Sequence, residues 1–113
     1  MKNRFLFVLL VFQTAAVAVY TAIALSREGI DLLTPFLSNV ASLGWSGQFN
    51  LDFLCYLMLS GLWVMWRSRF SLRAVLTGLM LMVLGIVAFA PYVLFLLLKE
   101  NGDLKAVLVG ERA

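Results

Sequence analysis

Three long apolar runs, Phe5 to Leu25, Trp45 to Trp66 and Ala74 to Leu98, take up most of the chain. A helix rises ~1.5 Å per residue and the hydrocarbon core of a bilayer is about 30 Å thick, so each run can cross it. The middle run is the most specific. Tryptophans stand at both ends, Trp45 and Trp66, with Trp63 one turn inside. On a helix the outer pair lie roughly 31 Å apart, the spacing of the two aromatic belts of a membrane. The three tryptophans are therefore expected to be interface anchors. Composition agrees: 63% of the 113 residues are hydrophobic and 13% charged, against about 45–50% and about 25% in soluble domains. A soluble protein of this size has too much surface to hide so much apolar side chain.

The first run is interrupted only by Gln13, Thr14, Tyr20 and Thr21. A signal peptide competes as a reading. Lys2 and Arg4 resemble its basic leader, and Ala16-Val17-Ala18 or Ala22-Ile23-Ala24 its cleavage site. Signal cores are usually about 7–15 residues, shorter than this run, so a retained helix is expected. Residues 27–44 form a connector. Thr34 followed by Pro35 reads as an N-cap with proline at the first helical position. Leu33, Phe36, Leu37, Val40 and Ala41 then fall at helical spacing, with Ser38 and Asn39 off that face. A short interfacial helix over about 34–43 is expected, ended by Gly44.

Residues 67–73 carry three arginines and make a tight loop into the third run. Pro91 should kink that run, freeing the backbone carbonyl around Val87. Gly78 and Gly85 share a face suited to close helix packing. Asn101-Gly102 stops the run, and the mildly apolar residues 104–109 are expected on the surface. The expected fold is thus all-α: a three-helix transmembrane bundle (spans about 5–25, 45–66 and 74–98) with a short interfacial helix between the first two. Residues 1–113 form one membrane domain with a tail over 99–113.

Basic residues stay on the cytoplasmic side of a membrane. Lys2 and Arg4 precede the first span, Arg27 alone marks the connector, and Arg67, Arg69 and Arg73 fill the second loop. The N-terminus and the arginine loop are therefore placed inside. Three crossings then put the C-terminus outside, although the tail carries Lys99, Lys105 and Arg112. The three loop arginines are the expected determinants of topology.

Asp52 needs explaining, because a carboxylate at a helix centre costs on the order of 2.5–3.5 kcal/mol on insertion scales. Gln48 and Tyr56 lie four residues to either side on one face, continued by Ser60 and Trp63. With three straight spans, Tyr20 and Tyr92 reach a similar depth, and Gln13 lies deeper. Three readings follow. The group Asp52, Gln48, Tyr56, Tyr20 and Tyr92 is a hydrogen-bonded packing cluster, or Asp52 binds a proton or ligand, or it pairs with a base on another protein.

Enzyme chemistry has no footing. The chain lacks histidine and has one cysteine, Cys55, inside an apolar run. That excludes histidine-ligated haem and an internal disulfide, and it argues against a transition-metal site. No catalytic, cofactor-binding or metal-binding residue is assigned, and no cofactor is expected. The net charge of +3 suggests nucleic acid, but the basic residues sit at the ends of apolar runs and form no stripe with interleaved aromatics. The expected partners are the lipid bilayer, other membrane proteins or a second copy of the chain.

Trp45 followed by Asp52, the basic loop, and a third run with Gly85 and Ala90-Pro91-Tyr92-Val93-Leu94 resemble a family of small bacterial inner-membrane proteins of unknown function. The likeness covers roughly residues 20–99. It implies a bacterial cytoplasmic membrane and three spans, and it carries no activity, ligand or catalytic residue. A non-enzymatic structural or accessory subunit is the expected function. A small oligomeric transport or channel unit using Asp52 is the alternative, and a holin-like pore a weaker third.

Overall fold

The computed structural model describes residues 3–112, and every described regular element is helical. Lys2, counted above among the basic residues, lies outside them. Helix α1 covers Arg4–Glu28, α2 Leu33–Ala41, α3 Trp45–Arg67, α4 Leu72–Leu84, α5 Ile86–Lys99 and α6 Leu104–Val109, followed by a 3-10 turn over Gly110–Arg112. Two of these, α1 and α3, are long and apolar enough to cross a membrane. Both remain largely uncovered by the rest of the chain. In the most apolar stretch of α1 only 6% is buried, and in that of α3 22%. The core helix of a soluble domain would be mostly buried, because water would otherwise meet that apolar surface.

The third apolar run is not one helix. It breaks at Gly85, which adopts φ 71 and ψ −147 and ends α4 while starting α5. That backbone region is essentially reserved for glycine. The sequence predicts the kink at Pro91, yet Pro91 lies inside α5. Pro91 is the sixth residue of α5, so its missing N–H leaves the Val87 carbonyl without a helical donor, but the helix continues through it and the break falls at Gly85. The two pieces have 13 and 14 residues, roughly 20 Å each at ~1.5 Å per residue, too short to span alone.

They fold back on each other. Ascending from the arginine loop, α4 runs antiparallel to α3. A Cβ on Gly78 would lie 2.8 Å from the Gly61 carbonyl oxygen, and one on Gly61 would lie 2.9 Å from that of Gly78. Backbones this close need a missing side chain on both helices. At the tip, Gly85 sits against Phe53 and Leu57 of α3. Phe53 is eight residues past Trp45, so the tip stops about 12 Å short of that end of α3. Descending, α5 brings Tyr92, Phe95, Leu96 and Lys99 back beside Arg73, Ala74 and Thr77 of α4. In place of one long third helix the chain makes a helical hairpin that turns at Gly85.

This moves the tail. Three crossings would have separated the termini, but Asn3 Nδ2 donates to the Gly102 carbonyl. Leu10 of α1 joins Ala90, Leu96, Leu97 and Val107 in the hydrophobic core, with Leu6 and Phe7 packed on it. N-terminal segment, arginine loop and C-terminal tail share one end of the molecule. Residues 104–109, expected on the surface, form the docked helix α6, with Val107 only 3% exposed.

Both turns at this end use the same device. Phe70 N–H donates to Met65 and Arg69 N–H to Trp66, while Gly102 N–H donates to Leu97 and Asn101 N–H to Leu98. Each pair closes a helix C-terminus through a left-handed residue, Arg69 at φ 56 and Asn101 at φ 54. At the far end, α2 begins one residue before Thr34, so Thr34 is not its N-cap. Asp31 accepts from the Thr34 N–H (3.2 Å) and hydroxyl (2.7 Å) instead. Pro35 lies in the first turn, where N–H groups lack intrahelical partners anyway. Helix α2 is backed by α3: a Cβ on Gly47 would run into the Asn39 carbonyl oxygen.

Candidate functional site

On α3 the residues Gln48, Asp52 and Tyr56 form one exposed stripe at four-residue spacing. Side-chain hydrogen bonds from α3 arise at Asn50, Ser60, Trp63 and Arg67, and Asp52 makes none among the described residues. It stands level with the hairpin tip, beside Phe53, and is exposed.

The other expected members of the cluster are elsewhere. Tyr20 is 76% exposed on α1, in a groove with Ala24, Arg27 and Glu28. Tyr92 lies at the basic end, sharing a groove with Arg73 and Lys99. A straight third helix would have carried Tyr92 away from the arginine loop, whereas the turn at Gly85 returns it there. Gln48 borders Leu43, Gly44 and Trp45, and Tyr56 borders Phe53, Ser60 and Gly85. The five residues do not assemble into one polar cluster. Half-buried Gln13 lies on α1, which packs chiefly on α5, and makes no hydrogen bond to Asp52.

The densest polar structure is at the basic end. The sequence places Arg67 in a solvated loop, but it is only 7% exposed. Its Nε donates to the Val107 carbonyl at 2.8 Å, with Nη2 3.5 Å from that of Ala106. These carbonyls belong to the C-terminal part of α6, where a cation satisfies orphan acceptors and complements the helix dipole. Gly110 lets the tail close over this guanidinium, since a Cβ there would lie 2.8 Å from Arg67 Cζ. Arg69 Nε donates to the Glu111 carbonyl at 3.1 Å. Arg112 donates to the Trp66 carbonyl and lies over the Trp66 ring, 4.9 Å from its centroid. Arg73 remains exposed.

The tryptophans divide accordingly. Trp45 is 76% exposed at the far end, paired with Phe49 at 6.2 Å. Trp63 is an internal packing residue: its Nε1 donates to the Leu108 carbonyl at 3.0 Å and its ring meets Phe89 at 5.9 Å. Trp66 stays 40% exposed, with Arg112 over one face of its ring. Sequence reasoning missed the tail clasp because its bonds join α3 to residues some forty positions away. The one available signal was the surplus of basic residues in the tail.

Among the described residues, no three of His, Cys, Asp or Glu gather as metal ligands would. At Asp31 the hydrogen bonds from the Thr34 hydroxyl and N–H hold the carboxyl below the usual value of 3.8. Compared with protein-family models, curated proteins and solved structures, the chain matches none.

Proposed function

We propose that this chain is a non-enzymatic, multi-pass integral membrane protein that acts as a structural or accessory subunit against membrane partners. Helices α1 and α3 cross the bilayer and the α4–α5 hairpin enters from the basic end without crossing. That end is cytoplasmic, with Asn3, the arginine loop and Arg112 on it. Of the described basic residues, all but Arg27 then lie inside, which is the bias that orients membrane proteins. A bacterial inner membrane is the location the resemblance described above favours.

The observation that carries the reading is Asp52. Intramembrane carboxylates usually have a partner, and this one stands exposed with no hydrogen-bond partner among the described residues. A base or donor on a neighbouring protein, or on a second copy, would supply it. The test compares Asp52→Asn and Asp52→Leu with wild type by native mass spectrometry and thermal stability in detergent. The isolated chain should fold equally well in all three, and the complex should be lost with leucine. Destabilisation of the isolated chain by leucine would return Asp52 to an internal packing role and overturn the reading. Topology has its own check: cysteine at Ser38 should react with an impermeant reagent outside intact cells, while cysteine at Ser68 stays protected.

A further inference from the structure

We propose that the seam between α3 and α5 binds one anionic phospholipid, its phosphate at the basic end and an acyl chain along the seam toward the hairpin tip. The proposal rests on the membrane placement given above.

Two cavities lie on this seam. The one at the basic end has a volume of about 400 Å³ and walls from α3, α4 and α5. Arg73 comes from the first turn of α4 and Lys99 from the last turn of α5, so two exposed cations of separate helices converge there. Tyr92 adds a hydroxyl, and Val64, Phe95 and Leu96 add apolar wall. Buried Arg67 also borders the cavity, and Glu111 is its one acid. The N-terminal end of the 13-residue α4 opens here as well, capped by Ser71, and its dipole favours an anion.

The second cavity, about 310 Å³, is lined by Phe53, Leu57, Ile86 and Phe89 around Gly85, with Tyr56 and Ser60. One stripe of α3 serves both: Phe53, Leu57 and Ser60 border the upper cavity, Val64 and Arg67 the lower. On α5, Phe89 borders the upper and Tyr92, Leu96 and Lys99 the lower. Steps of three and four keep each set on one helix face. From Arg67 to Leu57 is about 15 Å along α3. A cationic, hydroxyl-bearing cavity at the interface, continued by an apolar one deeper in, matches an amphiphile. A soluble anion would have no use for the upper part. Anionic lipids of the cytoplasmic leaflet are drawn to basic residues placed at this level.

The test uses the full chain in detergent, offered equal amounts of phosphatidylglycerol and phosphatidylcholine with the same acyl chains, with bound lipid read by native mass spectrometry. Wild type should retain one phosphatidylglycerol with a preference on the order of tenfold or more. Arg73→Gln combined with Lys99→Gln should abolish the preference, and Arg73→Lys with Lys99→Arg should keep it. Arg4→Gln with Lys105→Gln, which removes the same charge outside the groove, should leave it unchanged. Should the double glutamine variant not fold, each single variant must show a partial loss. Persistence of the preference in the glutamine variants, or equal loss in the Arg4/Lys105 control, overturns the proposal. So does displacement of the lipid by glycerophosphate, which would make this a site for free phosphates. Liposome flotation of wild type separates the premises. A chain that does not float refutes the membrane placement and the site with it, and one that floats without a lipid preference refutes the site alone.

Discussion

Replacing Gly85 by alanine tests the hairpin directly. At φ 71 and ψ −147 an L-residue is strained by on the order of 1–3 kcal/mol. The added Cβ would also lie 3.0 Å from Phe53 Cζ. Phe53 is 48% exposed, so its ring can swing aside and backbone strain dominates. The same substitution favours a continuous helix through residue 85 by about 1 kcal/mol, the difference in helix propensity between alanine and glycine. The balance between returning and continuing thus shifts by about 2–4 kcal/mol against the hairpin. Gly29→Ala is the control. Gly29 has a similar φ of 77, but a Cβ added there would meet nothing within 4 Å, and it lies in an exposed connector that can relax. In detergent, Gly85→Ala should lower unfolding free energy by about 1–3 kcal/mol and Gly29→Ala by clearly less. The second assay is cysteine labelling in a Cys55→Ser background. Cysteines at Ser68 and Lys105 should give the same sidedness in the parent chain. Opposite sidedness there, or a Gly85→Ala variant as stable as the parent, would refute the returning hairpin.

Gly78→Ala should separate α4 from α3, because its Cβ would meet the Gly61 carbonyl oxygen at 2.8 Å, a backbone atom that cannot swing away; denaturation in detergent should show a loss of about 1–3 kcal/mol. Arg67→Met should free the tail by leaving the Val107 carbonyl without its donor, at a cost of about 1–3 kcal/mol, and trypsin should then cleave after Lys105 on the order of tenfold faster. Asp31 supports the start of α2 only while ionised. Its carboxyl is held below 3.8 by Thr34, so the support is present above that value and is lost as pH falls through the lowered one. Thr34→Ala should move its titration, followed by NMR, upward toward 3.8.

By itself the sequence determined that this chain is helical and carries segments able to enter a bilayer, because length, hydropathy and tryptophan spacing are local properties that no partner needs to complete. It also marked the end of α5, since the stop at Asn101-Gly102 acts within a few residues. It could not decide what happens at Gly85. Glycine permits a left-handed break and also close packing on an intact helix, and both uses leave the same residue in the same apolar run. The choice falls to α3 and α1, whose surfaces cover the two arms only when the chain returns. From that one turn follow the position of Tyr92, the burial of Arg67 beneath the tail, the internal role of Trp63 and the meeting of Asn3 with Gly102. Asp52 is the converse case. The sequence identified it as costly, and only the tertiary structure revealed that the described residues leave it without a hydrogen-bond partner.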